Sequence, residues 1–355
     1  MRILITGICG FVGSTIANAI VESGLPWKVS GIDNLVRRGS ESNLAHFKHH
    51  GIEVVHGDLR SQSDVDALPP FDWLIDAAAN PSVLAGADGK TSSRQLMEHN
   101  LYGTINLLER CKTLKAGFIL LSTSRVYAIA PLASLPVTPV DGAYRIDTAS
   151  KLPIGVSKNG IDESFSTGSP ISLYGASKLA SEALALEYGA TFDFPVWINR
   201  CGVLAGAGQF GRPDQGIFAF WINSHLRRKA LSYIGFDGQG HQVRDCLHPR
   251  DLLSLIQKQI VEPEVSEKSR TVNVSGGIAS AMSLRQLTQW CDSKFGAHAI
   301  GSVPKPRPFD LPWVVLDSQQ VKKQWDWEPQ TPVHSILDEI ASHASQHPNW
   351  LETSI

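Results

Sequence analysis

Arg2-Ile3-Leu4-Ile5 reads as a short apolar strand, and Thr6-Gly7-Ile8-Cys9-Gly10-Phe11-Val12-Gly13 follows it without a gap. Strand, glycine-rich turn and apolar helix in that order form a dinucleotide-binding unit. Gly7 lets the chain reverse tightly, Gly10 lets backbone approach a pyrophosphate, and Gly13 lets the helix pack closely on the strand. With Phe11 and Val12 these residues open the helix, where free N–H groups and the macrodipole favour an anion.

A second strand, Trp27 to Ile32, ends at Asp33, twenty residues beyond Gly13. A carboxylate there accepts hydrogen bonds from adenosine ribose hydroxyls and repels a 2′-phosphate, which favours NAD over NADP. Arg37 and Arg38 follow closely; they are either a counter-charge for a phosphate or an ordinary solvated loop.

The 355 residues suffice for one large domain or two, and 43% hydrophobic content is that of a globular protein. A formal charge of −2 with no basic stripe gives no sign of nucleic-acid binding, and no apolar run reaches bilayer length. Because the sequence starts directly with a strand, no signal peptide is expected. The five cysteines, Cys9, Cys111, Cys201, Cys246 and Cys291, have neither a paired framework nor metal-ligand spacing. A reducing cytoplasm fits best. The twelve histidines are scattered apart from a loop-like His49-His50 pair, so no metal is expected.

Further on, the strand candidates Glu53 to His56, Trp73 to Asp76, Gly117 to Ser122 and Pro195 to Arg200 are separated by longer amphipathic stretches. Such alternation predicts an α/β fold with a doubly wound parallel sheet. The run Phe118-Ile119-Leu120-Leu121 suits a central strand covered on both faces, with its C-terminal end toward the cofactor crevice. That end reads Ser122-Thr123-Ser124-Arg125-Val126-Tyr127. Some fifty residues later Tyr174-Gly175-Ala176-Ser177-Lys178 opens a helix running to Tyr188. Tyr174 and Lys178 share a helix face, and an ammonium beside a phenol favours the phenolate needed in a general base. A strand-end hydroxyl can orient a substrate alcohol.

With these motifs the chain resembles the extended short-chain dehydrogenase/reductase family, whose members act on nucleotide-diphosphate sugars. The likeness covers nearly the whole length. It includes Gly57-Asp58-Leu59, which in the family reaches the adenine; Ala77-Ala78-Ala79-Asn80-Pro81-Ser82-Val83 after the fourth strand; and Asn100 to Glu109, read as structural. Alignment on Val126-Tyr127 implies Thr123 as the catalytic hydroxyl, with Ser122 and Ser124 as possible substitutes. Gln242-Val243-Arg244-Asp245-Cys246-Leu247-His248 resembles the stretch whose arginine holds the substrate diphosphate, and Arg307 with Asp310 and Asp317 resembles its later counterpart. Two guanidinium forks suit a diphosphate. For Arg244 the alternative is a buried ion pair with Asp245 or Asp251, and for Arg307 a surface position in a Pro-rich loop.

Within the family the chain is similar to the CDP-tyvelose 2-epimerases, also called CDP-paratose 2-epimerases. Asp33-Asn34-Leu35-Val36-Arg37-Arg38-Gly39 looks like their cofactor loop, Tyr144 through Ser164 like their insertion, and Gly208-Gln209-Phe210 with Asp214-Gln215-Gly216 like their substrate-side loop. Equally, Asp214 could cap a helix over Ile217 to Lys229. The resemblance implies Asn34, Arg37, Asp58, Leu59, Ala77, Ala78 and Ala79 at the cofactor, and Ser124, Arg200, Gln209, Phe210, Gln215, Arg244 and Arg307 at the sugar nucleotide. Some positions depart from it. Ala128 replaces a usual glycine, Asp76 a frequent histidine, and Val203 an asparagine common in 4-epimerases, while Arg125 stands where dehydratases carry an acid.

The expected chemistry is oxidation and reduction at one carbon with tightly held, recycled NAD, Tyr174 as base, Lys178 tuning it and Thr123 orienting the reacting oxygen. The rivals are a sugar-nucleotide 4-epimerase or other oxidoreductase of the same fold, and a non-catalytic NAD or nucleotide-sugar binder. The tuned phenol argues against the last. A dinucleotide-binding domain over 1–198 and a substrate domain over 199–355 are expected, with 243–262 packing back on the first, and a homodimer or dimer of dimers.

Overall fold

The computed structural model describes residues 1–87, 89, 91–212, 215–263, 268–305 and 307–353. Asp214 and its expected cap lie outside the described residues. Seven strands form the main sheet: β1 (Arg2–Thr6), β2 (Lys28–Asp33), β3 (Glu53–His56), β4 (Trp73–Asp76), β5 (Gly117–Thr123), β6 (Val196–Cys201) and β7 (Thr271–Val274). Their order is β7-β6-β5-β4-β1-β2-β3. β1 pairs in parallel with both β2 and β4, as do β2 with β3 and β4 with β5. Strand order therefore reverses beside β1, where α/β sheets open a crevice at the carboxyl ends of their strands.

Burial follows position in the sheet. β4 and β6 are buried throughout and β5 in all but its last residue, as continuous apolar strands between two helical layers should be. β3, at the edge, exposes Glu53 and His56, charged or polar ends that discourage pairing with another chain. The expected strands agree with the observed ones to within a residue at each end. β7 was not anticipated, since four residues containing Asn273 give no clear alternation.

The longer helices are α1 (Phe11–Glu22), α2 (Gly103–Leu114), α3 (Ser172–Phe192), α4 (Ile217–Leu226), α5 (Leu252–Val261), α6 (Leu284–Phe295) and α7 (Val333–Gln346). α1 buries Phe11, Gly13, Ile16, Ala17 and Ile20, a stripe at helical spacing. α3 runs past the expected Tyr188 to Phe192. His49, expected in a loop, instead ends a short helix over Asn43–His49.

Two compact units emerge, each built from three stretches of chain. One comprises Met1–Thr123, Leu173–Arg200 and Pro249–Val272; the other comprises Ser124–Ser172, Cys201–His248 and Asn273–Ile355. The expected first domain ran unbroken to 198, whereas residues 124–172 group with the second unit. In the first unit the core joins Leu4, Leu74, Phe118, Leu120, Val196 and Ile198 of the sheet to Leu107 and Leu108 of α2 and Ala185 of α3. In the second, Phe218, Trp221 and Ile222 of α4 pack with Leu287 and Cys291 of α6 and Ile336, Leu337 and Ile340 of α7. A reciprocal capping box between Ser283 and Gln286 fixes the start of α6.

Asp245 ties three segments of the second unit together. It is fully buried, and its carboxylate accepts from Val203 N (3.1 Å), Leu316 N (2.8 Å) and the Ser275 hydroxyl. Burial pushes its carboxyl above the usual range, while these donors pull it back. Gly202 gives it room, since a Cβ there would fall 2.6 Å from Asp245 Oδ1. Asp245→Ala would strand these donors, so a loss of about 3 kcal/mol is expected. The urea midpoint reports it, and an unchanged midpoint would count against the hub.

Candidate active site

The glycine turn is as tight as its sequence demands. Gly7 has φ of +59° and donates to Ile32 O at 2.9 Å, while Gly10 N donates to Gly7 O at 2.9 Å. A Cβ on residue 13 would lie 2.3 Å from Gly7 O, and one on residue 7 would lie 3.0 Å from Ala78 Cα. α1 starts at Phe11 with Gly10 as its N-cap, no side chain caps it, and its first turn holds no acid. Open N–H groups behind a glycine cradle fit a dinucleotide pyrophosphate.

Asp33 closes β2 beside this turn. Its Oδ2 accepts from Cys9 N at 2.9 Å and its Oδ1 from Leu35 N at 2.8 Å. Desolvation raises its pKa, opposed by N–H groups of Leu35, Cys9 and Gly10. Cys9 is fully buried, and burial first and then Asp33 push its thiol up to about 12. Asn34 Nδ2 donates to Asp58 Oδ2 at 3.3 Å, and Arg60 Nη2 lies 2.8 Å from the same oxygen. Hydrogen bonds from Arg60 hold the Asp58 carboxyl well below its usual range. Leu59 O accepts from Asn106 Nδ2 at 2.7 Å, and Arg37 O accepts from Ser40 N at 3.1 Å.

The alanine stretch after β4 is fixed by Thr6. The Thr6 hydroxyl donates to Asp76 Oδ1 at 2.6 Å and accepts from Ala77 N and Ala78 N, each at 3.1 Å. Asp76, the departure from a frequent histidine, thus orients the hydroxyl that holds the amides of Ala77 and Ala78.

Thr123 ends β5, on the sheet edge that also carries Gly7, Asp33 and Ala77. Tyr174 and Lys178 lie on one face of α3 and are both buried. Their helix is braced by Asn100, in a π-helical turn over Glu98–Tyr102. Asn100 Oδ1 accepts from Asn80 N (2.8 Å), and its Nδ2 donates to Asn80 O (3.1 Å) and to Ser177 Oγ (3.2 Å). Sequence reasoning gave the 100–109 stretch only a structural role. Within it Asn100 links the loop after β4 to the helix of Tyr174, and only its inward-facing π turn reveals this.

Arg200 was expected at the sugar nucleotide. In the structure its Nε donates to both carboxylate oxygens of Glu182 at 3.1 Å and its Nη2 to Oε2 at 2.6 Å. Glu182, missed in the sequence, continues the Tyr174, Lys178 series by another four residues.

In the second unit Ser124 is buried and its carbonyl accepts from Tyr127 N at 3.4 Å. Arg244 donates from Nη1 to Val243 O (2.7 Å) and from Nη2 to Asp310 Oδ1 (2.9 Å). Its ion-pair partner is thus Asp310, not Asp245 or Asp251. Burial lowers the Arg244 pKa, opposed by Asp310 and Asp245. Arg307 lies on the loop of Asp310, whose N donates to Arg307 O at 3.3 Å. Phe309 has φ of +60°, and its carbonyl accepts from Arg125 Nη1 at 3.3 Å. Gln209 Nε2 donates to Leu204 O (2.8 Å), Phe210 stacks on Trp350 at 5.1 Å, and Trp350 Nε1 donates to Gln209 O (2.9 Å). His343 sits edge-on to Trp350, its pKa lowered to about 4 by burial and by His347. Gln215 exchanges backbone bonds with Arg212. Among the described residues no group of three or more His, Cys, Asp or Glu could hold a metal ion, and no helix is long and apolar enough to cross a membrane.

A family model described as the NAD dependent epimerase/dehydratase family matches residues 3–275. The chain belongs to that family. It is 30% identical over 341 residues to a CDP-paratose 2-epimerase of Salmonella typhi, covering 93% of this chain and 95% of that one. It is 26% identical to a UDP-glucose 4-epimerase of Azospirillum brasilense, covering 100% and 94%. A solved UDP-glucuronic acid 4-epimerase from Bacillus cereus, in complex with UDP-glucuronic acid and NAD, shares the fold at a TM-score of 0.75 and 24% identity, covering 98% and 99%.

Family membership makes the glycine turn testable directly. Gly13→Ala forces a Cβ against Gly7 O, so the turn or α1 must shift. Retention of NAD by purified protein should fall at least tenfold. Equal retention in Gly13→Ala and wild type would contradict the cradle.

Proposed function

We propose that this protein inverts C2 of a CDP-linked dideoxyhexose or related sugar nucleotide through a transient keto sugar, with NAD held throughout. The observation that carries the reading is Tyr174 and Lys178 on one buried face of α3, in a chain similar end to end to a CDP-paratose 2-epimerase. The open N-terminus of α1 binds the cofactor pyrophosphate, Asp33 the adenosine ribose, and Asp58 with Leu59 the adenine. Asp33 repels a 2′-phosphate, which selects NAD.

NAD, held by the glycine turn and Asp33, would supply the oxidant for the sugar carbon and the hydride for its reduction from the opposite face. Tyr174 removes the hydroxyl proton as the carbonyl forms and gives it back afterwards. Lys178 favours the phenolate, and Thr123 orients the reacting oxygen. Arg244 and Arg307 hold the diphosphate, so the nucleotide stays anchored while the sugar turns. The likeness to a UDP-glucose 4-epimerase supports a second reading with the same machinery acting at C4.

Tyr174→Phe keeps the ring but removes the base. Turnover should fall by about 100-fold or more with little change in substrate affinity, and near-normal turnover would take the phenol out of the mechanism. An isotope test addresses the carbon. Substrate deuterated at C2, turned over in ordinary water, should keep its label at C2, and unlabelled substrate in D2O should gain none there. Solvent deuterium at C2 would mean deprotonation beside a carbonyl. Inversion at C4 would favour the second reading.

A further inference from the structure

The first unit buries one ion pair that the proposed chemistry does not use. Glu182, Arg200 and Ser122 expose only 3%, 8% and 5% of their surfaces. Besides its three contacts from Arg200, the Glu182 carboxylate accepts the Ser122 hydroxyl. A carboxylate only accepts, so both partners must donate and the arrangement has a single polarity. Ser122 immediately precedes Thr123 near the end of β5, and Arg200 is the penultimate residue of neighbouring β6. Glu182 lies one helical turn beyond Lys178 and two beyond Tyr174. One side chain of α3 therefore ties that helix to the carboxyl ends of two adjacent strands.

We propose that Glu182, Arg200 and Ser122 are positioning residues that fix the rotation and register of the Tyr174–Lys178 helix against the strand end bearing Thr123. The inference rests on the reading of Tyr174, Lys178 and Thr123 as the reacting groups. Further along, α3 packs on the sheet through apolar contacts, with Ala185 in a cluster with Phe118, Leu120, Val196 and Ile198. Such packing is non-directional and tolerates small slides. A forked guanidinium on a carboxylate does not. Buried ion pairs add little net stability, because desolvation offsets their attraction, and apolar replacements of similar size often fold as well or better. Geometry is what this pair supplies.

The test is a Glu182→Leu/Arg200→Met double variant, purified with its NAD and compared with wild type on a panel of CDP-, UDP-, GDP- and dTDP-sugars. The melting temperature should hold or rise, with NAD retained and KM within about threefold, while kcat falls at least tenfold. Ser122→Ala, which leaves the ion pair intact, should lose about threefold in kcat. Amide exchange of peptides covering 172–182 should quicken in the double variant while the core strands stay protected. A folded double variant with kcat within twofold of wild type overturns the proposal. If that variant does not fold, unchanged kcat and unchanged exchange in Ser122→Ala overturn it. If wild type turns over no sugar on the panel, the functional reading falls, and exchange over 172–182 still decides the role of the pair.

Discussion

The contact that the first unit depends on is the approach of Gly7 O to Gly13, where a Cβ would have to sit 2.3 Å from the carbonyl oxygen. With no side chain there, α1 can start hard against the end of β1. That start leaves its N-terminal N–H groups open, and it brings Cys9 N within 2.9 Å of Asp33. The acid expected to choose the cofactor is thus aimed by the turn expected to hold the cofactor's phosphates. One backbone approach underlies both roles.

Along the sheet edge, orientation is passed on by small buried polar groups rather than by large side chains. Asp76 fixes the Thr6 hydroxyl, which fixes two alanine amides; Asn100 clamps the peptide of Asn80 from both sides and reaches Ser177; Glu182 gathers Ser122 and Arg200. Each ties together elements that apolar packing alone would leave free to slide, and each has its donors and acceptors matched. Asp245 plays the corresponding role in the second unit.

Most of the sheet was legible in the sequence because strand and helix periods alternate cleanly and each strand ends in a polar or glycine signal. β7 escaped because its four residues carry too little pattern. Glycine turn, Asp33 and the Tyr174/Lys178 face were legible as local spacing. The pairing of Arg200 with Glu182 was not legible because a charged residue at a strand end looks the same whether it faces a ligand or a carboxylate on a helix eighteen residues earlier in the chain. Arg244 had its partner misassigned for a like reason: Asp245 and Asp251 are near in sequence, while Asp310 is near only in the fold. The link that Asn100 makes was not legible because nothing in the sequence marks a π turn.

The chain passes between the two units five times, after Thr123, Ser172, Arg200, His248 and Val272. Neither unit is a continuous piece, so neither can be cut out of the sequence by choosing two ends. During synthesis the sheet can take up β1 to β5 early, but β7 emerges only after residues 124–172 and 201–248 of the other unit have been made. Its edge on β6 stays unpaired until then. A ribosome-bound chain would expose that edge for the time needed to translate about seventy residues, several seconds at ordinary rates. Such an open edge is a template for mispairing, so demand for chaperones should be greatest in that interval.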